Sequence, residues 1–426
     1  MSSMFSALRV HNYRLWVTGA LVSNIGTWMQ RVAQDWLVLT VLTHQSGTAI
    51  GITTGLQFLP ILFLGPYAGL LGDRLSKRRV LLCTQSAMGL CALLLGLLVV
   101  TGTVQLWHVY ALALALGVAS AIDAPSRQAF VSEVVEQQDV PNAVALNSAS
   151  FNLARLAGPG VAGLLIAWLG TGPAFLLNAA SFAAVILSLV RMRPEELHPA
   201  ARTARGKGQI REGLRYVRHR PDLLLIMILV GLMGTFGLNF QITNALMATA
   251  VYGKGPGEYG LLGSIMAVGT LAAALLAARR QSTRMMYVIG GIFGFALFTA
   301  VAALSPSYWL YAALLIPVGL ASLTFLNACN TSIQLSTDPV MRGRVLALYM
   351  AVLQGGTPIG APLVGWIGTA FGARWALLIG AVVALGAGIG AVISVNRRNN
   401  VRFRDQLNSA ARYSVLRGTR WRAVRG

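Results

Sequence analysis

About twelve long apolar stretches, separated by short polar segments, make up most of this chain of 426 residues. Only 11% of the residues are charged, whereas a soluble domain has about 25%. A stretch of about 20 apolar residues spans a bilayer, and its backbone must satisfy its own hydrogen bonds there as a helix. The sequence therefore predicts an all-α membrane protein, with spans at about 14–42, 48–72, 79–101, 105–127, 140–168, 171–191, 222–250, 257–279, 285–304, 307–331, 342–370 and 374–396.

The net charge of +21 is distributed unevenly among the polar segments. When both termini are assigned to the cytoplasm, nearly all Lys and Arg residues fall in cytoplasmic segments, which is the positive-inside bias. This distribution predicts a multi-pass protein of the inner (plasma) membrane with both termini cytoplasmic, and it argues against nucleic acid as a partner. The tail at 397–426 has nine arginines and one acid, Asp405; it either contacts anionic membrane lipids or is simply solvated.

One long polar segment divides the chain into halves of six spans each. We predict an N-terminal bundle at 1–191, a cytoplasmic central loop at 192–221, a C-terminal bundle at 222–396 and a basic tail at 397–426. In the central loop Ile210, Leu214 and Val217 recur at helical spacing while arginines take another face. That pattern is typical of a short helix at the membrane interface, and the part of the loop before it could be a disordered linker.

The two halves resemble each other at a constant offset, with Gly158 matching Gly360 and Gly163 matching Gly365. An ordered series of such matches across two consecutive spans indicates a repeat. Duplicated bundles around a central site suit a transporter that works by alternating access. The predicted fold is therefore twelve transmembrane helices in two pseudo-symmetric six-helix bundles.

Charged side chains inside the first span are the first candidate functional residues, because each costs about 2.5–3.5 kcal/mol on insertion scales. Asn24, Trp28, Arg31 and Asp35 lie at i, i+4, i+7 and i+11 and therefore share one helical face. Arg31 and Asp35 are also spaced to form an i,i+4 ion pair. We expect this polar face to line protein or a water-filled cavity rather than lipid.

A second charged site lies at mid-depth of the fifth span, where Arg155 and Asn152 share one face with Ser148. One hypothesis is that Asp35 exchanges a proton during transport, while Arg31 or Arg155 changes its distance from the carboxylate. The alternative is a permanent ion pair that only fixes the packing of the helices.

Two motifs resemble those of the major facilitator superfamily. The loop after the second span reads GLLGDRLSKRR at 69–79, similar to the family signature G-x-L-x-D-R-x-x-R-R/K. The fifth span reads ARLAGPGVAG at 154–163, which resembles the antiporter motif at Gly158, Pro159 and Gly163 but has alanine at two glycine positions. The arginine that the family has in its fourth span is absent, because Ala113 precedes Gly117 at that spacing.

Three further segments, at 27–36, 123–128 and 152–159, resemble the twelve-span exporter branch related to the enterobactin exporter and macrolide efflux pumps. The resemblance implies proton-driven export, by antiport, of a drug-like or siderophore-like small molecule. Two alternatives stay open. One is a proton-coupled importer, because a fold does not fix the direction of transport; the other is a lipid flippase or a transport-inactive membrane sensor.

In the superfamily, the signature loop latches the two halves together on the cytoplasmic side. The resemblance therefore implies a gating latch made of Asp73, Arg74, Lys77, Arg78 and Asp123. The alternative is that these cations serve only as a topology signal.

Polar residues elsewhere in the spans are candidates for a substrate cavity, although Asn and Gln more often bind helices to one another. Besides the first-span and fifth-span residues Asn24, Trp28 and Asn152, they are Gln241, Asn244, Asn327, Asn330 and Gln354. The chain contains no phosphate-binding glycine loop, metal-ligand cluster or nucleophile–base set. We therefore expect a transporter that is not an enzyme, uses no cofactor or metal, and is a monomer.

Overall fold

The computed structural model of the protein describes residues 3–198, 209–279 and 285–422, with side chains described at 5–65, 75–198, 211–279 and 285–397. Within these ranges every regular element is a helix. This result confirms the predicted all-α class.

Six long helices form the first bundle. They are α1 His11–Trp36, α2 Gly47–Arg74, α3 Lys77–Val100, α4 Leu106–Glu133, α5 Val140–Leu169 and α6 Thr171–Arg191. α1 packs against α5 and α6, α3 packs against α4 and α6, and α2 packs against α4. After α1 the chain continues through a π-helical turn at Leu37–Leu42.

A short helix, α7 Gln209–Arg218, precedes the second bundle. The helices of that bundle are α8 Pro221–Leu232, α9 Phe240–Leu246, α10 Pro256–Ala278, α11 Met285–Ala303, α12 Tyr308–Ser336, α13 Pro339–Gly355, α14 Thr357–Ala370 and α15 Ala373–Arg422. They make six spans, two of which consist of two helices each. α8 and α9, with π-helical turns at Met233–Gly237 and Met247–Val251, form one span at Pro221–Val251, and α13 and α14 form another at Pro339–Ala370.

Eleven helical segments in the described part of the chain are long and apolar enough to cross a membrane. The first helix is not among them, although it runs the same length as the others. Its buried face carries Gln30, Gln34 and Asp35, which lower its hydropathy. The twelve predicted spans thus all coincide with helices, and the predicted fold of two six-helix bundles is confirmed.

One span of the second bundle is interrupted near its middle: the chain leaves helical geometry at Leu238 and Asn239, between α8 and α9. Between α13 and α14, Gly356 keeps helical φ and ψ, and only a turn near Pro358 separates the two helices. Discontinuous helices of this kind are a feature of transporter binding regions.

The last helix is longer than its apolar part. α15 continues from Ala373 to Arg422 as one helix of 50 residues, whereas the part that is apolar enough to cross a membrane is Ala373–Arg397, which agrees with the predicted span at 374–396. The apolar periodicity ends there, but the basic sequence that follows contains no proline or other strong helix breaker to stop the helix.

The predicted helix of the central loop is confirmed as α7, which packs against α13. Val217 is buried, and the Tyr216 hydroxyl donates to Asp338 Oδ2 at 3.0 Å. Glu212 pairs with Arg344 at 2.8 Å. Leu214, predicted on the apolar face, is instead 59% exposed. The buried face of α7 carries Gly213 and Val217, and Leu214 lies about a quarter-turn away from Gly213 around the helix.

Candidate functional site

The two bundles meet along two seams, and α2 and α14 form the first of them. A Cβ atom added to Gly47 would lie 2.7 Å from the carbonyl oxygen of Gly365, and one on Gly51 would collide with the Ala361 backbone. The helices therefore touch backbone to backbone. Glycine is required here because any side chain would separate the bundles.

α5 and α10 form the second seam, and the predicted antiporter-like motif lies within it. A Cβ atom on Gly163 would lie 2.7 Å from the carbonyl oxygen of Pro256, and one on Gly260 would collide with that of Pro159. Gly158 faces the other way, toward Trp28 of α1. In this structure the motif thus supplies close helix approach within and between bundles.

The predicted internal match between the halves reappears in these contacts. Gly158 meets α1 within its own bundle, and its counterpart Gly360 meets Thr235 after α8. Gly163 meets α10 across the interface, and its counterpart Gly365 meets α2. The two bundles are thus joined in the same way on both sides.

Three sets of hydrogen bonds among the described residues also cross between the bundles. The Tyr259 hydroxyl donates to Asp35 Oδ2 at 2.9 Å, the Thr48 amide donates to Thr369 Oγ1 at 3.1 Å, and the Gly160 amide donates to Ser264 Oγ at 3.0 Å. They lie in the half of the molecule that carries the connections at 43–46 and 371–372. We call this half the closed end.

The bundles diverge toward the opposite end, which we call the open end. The stripe of α5 that begins at Pro159 in the seam continues with Arg155, Asn152 and Ser148 at helical spacing. The facing stripe of α10 continues with Leu271 and Leu275, which are 36% and 62% exposed. The backbone contacts between α5 and α10 thus lie in the closed half, and toward the open end the two stripes are more exposed.

Asp35 lies between the two bundles, in the closed half of the molecule. It is 4% exposed, and its hydrogen-bond partner Tyr259 stacks on Trp36 with ring centroids 6.2 Å apart. The Tyr259 hydroxyl is also 3.4 Å from the carbonyl oxygen of Gln241. Asp35 thus links α1 of the first bundle to α9 and α10 of the second.

The predicted i,i+4 ion pair of Arg31 and Asp35 is not formed: among the described side chains no cation lies within ion-pair distance of Asp35. Its carboxylate turns toward Tyr259 instead, while Arg31 remains within electrostatic range of it. The Arg31 guanidinium carbon lies 4.8 Å from the centroid of the Trp28 ring. Stacking on this ring takes the place of the predicted pairing.

Arg155 approaches the same ring from α5. Its guanidinium carbon lies 5.9 Å from the Trp28 centroid, and Phe151 meets the ring edge-on at 6.1 Å. Arg155 makes no hydrogen bond or ion pair with the side chains and backbone that the structure describes. The structure therefore brings Arg31 and Arg155 to the same indole ring, with Asp35 within electrostatic range of Arg31.

A small polar cavity lies inside the first bundle beside Arg31. Its volume is about 30 Å³, enough for internal water molecules. The Nε atom of Arg31 is buried without a partner among the described atoms, and water in this cavity can satisfy it. Polar lining residues are Thr27, Gln30, Gln34, Gln57, Ser120 and Asn178.

The predicted latch residues are not brought together in this conformation. Lys77 pairs with Glu133 at 2.5 Å, Arg78 donates to the carbonyl oxygen of Leu189 at 2.7 Å, and Asp123 pairs with Arg127 at 3.0 Å. Each of these three side chains binds another residue of the first bundle instead. The side chains of Asp73 and Arg74 lie outside the described side chains.

The predicted cavity residues fall into two groups. Two of them join helices: Asn244 accepts from Tyr311 at 2.6 Å and Asn24 accepts from Arg127 at 3.4 Å. Asn152 donates to the Ser148 carbonyl of its own helix at 2.8 Å. Asn330 accepts from Gln334 on its own helix. Asn327 and Gln354 are half-buried.

Sequence reasoning missed Tyr259 as a site residue. It lies four residues inside α10 and is one of 11 tyrosines, so nothing in its neighbourhood marks it as the partner of Asp35. Its contact requires the packing of α1 against α10 across 224 residues of sequence. Only the tertiary structure supplies that information.

A family model described as a transmembrane secretion effector matches residues 2–414 of the chain. Several relatives are similar in sequence over most of their length. The staphyloferrin A transporter of Staphylococcus aureus is 25% identical over 359 residues, or 82% of this chain and 87% of that protein. The multidrug efflux pump Tap of Mycolicibacterium fortuitum is 26% identical over 83% of this chain and 88% of that protein.

The enterobactin exporter EntS of Shigella flexneri is 26% identical over 78% of each chain, which confirms the predicted resemblance. Among solved structures, a bacterial homologue of the human lysosomal transporter Spinster superposes with a TM-score of 0.73. That match covers 90% of this chain and 96% of the other at 14% identity, and it confirms the major facilitator fold.

Proposed function

We propose, starting from the chain's membership of the transmembrane secretion effector family of major facilitator transporters, that it exports a small organic molecule in exchange for protons. Membership of this family establishes a transporter rather than an enzyme. Direction, coupling ion and substrate are our proposal. Relatives that export enterobactin or pump several drugs support efflux.

One observation supports proton coupling above the others, namely the hydrogen bond from Tyr259 to Asp35 across the interface of the bundles. The charged groups facing this carboxylate are Arg31 on its own helix and, beyond Trp28, Arg155 on α5. Rocking of the bundles would separate Asp35 from Tyr259 and expose it to water on the other side. The carboxylate would then meet different partners in the two states, which is the requirement for carrying a proton.

The proposed cycle uses the two seams as the closed side of an alternating-access transporter. The positive-inside distribution assigns the open end to the cytoplasm, so this conformation would receive substrate from inside the cell. We also propose that the bundles extend over 1–191 and 222–396, and that the protein lies in the inner membrane as a monomer with both termini cytoplasmic. Opening the closed end would then release substrate outside.

The substrate is identified by growth inhibition of deletion and overexpressing strains with a panel of antibiotics and siderophores. Uptake of the responsive compound is then measured in inverted membrane vesicles with an acidic interior. We expect Asp35→Asn to reduce gradient-driven accumulation by roughly tenfold or more, because the neutral amide cannot carry the proton, while exchange of substrate without a gradient persists. Glu136→Gln, which removes an exposed carboxylate, is the control and should behave like the wild type.

Undiminished gradient-driven uptake by a folded Asp35→Asn variant would remove Asp35 from coupling. Accumulation in right-side-out vesicles instead of inverted ones would identify an importer.

A further inference from the structure

We infer that the transported molecule is an aromatic organic anion whose negative group binds between Arg31 and Arg155, with its ring against Trp28 and Phe151. This inference rests on the proposed transport function and names its substrate class. It follows from an imbalance of charge at the centre of the molecule.

Two guanidiniums approach one indole ring at mid-depth, at 4.8 and 5.9 Å. The nearest carboxylate, Asp35, accepts its hydrogen bond from Tyr259 rather than from either arginine. Among the described side chains, therefore, two cations face a single acid. An excess positive charge inside a membrane protein is costly unless a counter-charge accompanies it.

Arg155 has the geometry of a ligand-binding cation rather than of a structural one. The structural arginines of the same bundle have protein acceptors: Arg127 binds Asp123 at 3.0 Å and Arg78 binds the Leu189 carbonyl at 2.7 Å. Arg155 has no such acceptor among the described atoms, and it is partly exposed on the α5 stripe that continues from the seam toward the open end. Its donors remain available to a molecule entering from there.

The surroundings of the two arginines favour an organic anion over a bare inorganic one. Trp28 is half-buried and Phe151 is 46% exposed on the same face, so ring surface lies beside the cations. Aromatic rings offer stacking and edge contacts to a ligand ring, while guanidinium presents a planar fork that matches a carboxylate or sulfonate. A neutral or cationic molecule would leave both guanidiniums without a counter-charge.

The test measures binding to purified full-length protein in detergent, so it does not depend on transport. Thermal stabilisation is recorded with 2-naphthoate and 2-naphthalenesulfonate, with the neutral 2-naphthamide, and with cationic 2-(aminomethyl)naphthalene. We expect the two anions to raise the unfolding temperature in a dose-dependent way and the other two to have no effect. Arg31→Gln and Arg155→Gln should each weaken anion binding by about tenfold or more, because a charge-assisted hydrogen bond is lost.

Arg14→Gln removes an exposed guanidinium from the same helix as Arg31 and should leave binding unchanged. Arg155→Lys keeps the charge and should retain part of the affinity. Equal binding of the amide and the carboxylate, no response to either anion, or full anion binding by Arg155→Gln would each overturn the inference. If sodium chloride raised the unfolding temperature as much as naphthoate does, the claim that the ligand is an organic anion would be overturned.

The two proposals fail separately. Charge-selective binding without gradient-driven transport would contradict the exporter and leave the anion site standing. Transport driven by a pH gradient, combined with no preference for anions in the binding assay, would contradict the anion site and leave the exporter standing.

Discussion

Tyr259 of α10 donates its hydroxyl hydrogen to Asp35 of α1 at 2.9 Å, and this bond joins the two bundles. Both residues are buried. The bond therefore has to break whenever the closed end opens, and its free energy contributes directly to the balance between the two states of the transporter.

Tyr259→Phe should shift that balance toward opening of the closed end. A hydrogen bond to a charged acceptor contributes about 1.5–3 kcal/mol, which corresponds to a roughly 10- to 100-fold change in the population ratio. The measurement is the distance between spin labels at Val41 and Phe371, which are exposed at the closed end on opposite bundles, in a background without native cysteines. Tyr308→Phe, whose hydroxyl bonds within its own bundle to the Glu258 carbonyl, is the control. An unchanged distance distribution in Tyr259→Phe would contradict the prediction.

Gly163→Ala should reduce transport without unfolding the protein. The added methyl would lie 2.7 Å from the Pro256 carbonyl oxygen, and overpacking of this kind costs about 1–3 kcal/mol. The penalty applies only when the seam is closed, so the variant should favour the state with the seam open. The transport rate of the identified substrate measures the effect. Gly290→Ala, where no atom lies within 4 Å of the new methyl, should transport normally; equal losses in both variants would refute the argument.

Asp123→Asn should destabilise the first bundle. Asp123 accepts from Thr84 at 2.7 Å and from Gln85 at 2.6 Å, and it pairs with Arg127. Removing one partner of a buried pair costs about 3–5 kcal/mol, so the unfolding temperature in detergent should fall by several degrees. A double-mutant cycle with Arg127→Gln measures the coupling. Additive effects of the two substitutions would show that the pair contributes nothing.

Val217→Asp should detach α7 from the second bundle, because it would bury an unpaired charge against α13. Leu214→Asp is the matched control: the same change, on the same helix, at a position that is 59% exposed. Limited trypsin digestion at the arginines of α7 reports the difference. We expect faster cleavage in Val217→Asp and wild-type rates in Leu214→Asp; similar rates in both variants would contradict the observed docking.

The number and extent of the spans could be predicted because hydropathy and length in a bilayer leave few alternatives. The stripe that carries Arg31 and Asp35 could be predicted because helical periodicity determines which residues share a face. The hydrogen-bond partner of Asp35 could not be predicted from the sequence. An i,i+4 spacing permits an ion pair with Arg31, but the buried hydroxyl of Tyr259 competes for the same carboxylate, and its position depends on contacts between bundles.

The latch illustrates the same limit. The signature motif marks Lys77 and Arg78 as important cations, yet it does not say which acid they meet. Asp123 and Arg127 are spaced to pair at i,i+4, and this pair does form. The same spacing of Arg31 and Asp35 does not produce a pair, so local spacing permits a contact without deciding between competing partners.

The glycine seams have a consequence for how the molecule can be inhibited. Because backbone lies against backbone along α2–α14 and α5–α10, few side chains separate these helices where they touch. Few interlocked rotamers resist separation there, so the polar bonds across the interface account for much of the specificity of closure. A bulky molecule held between α5 and α10 would therefore keep the two backbones apart and lock the transporter with its closed end open.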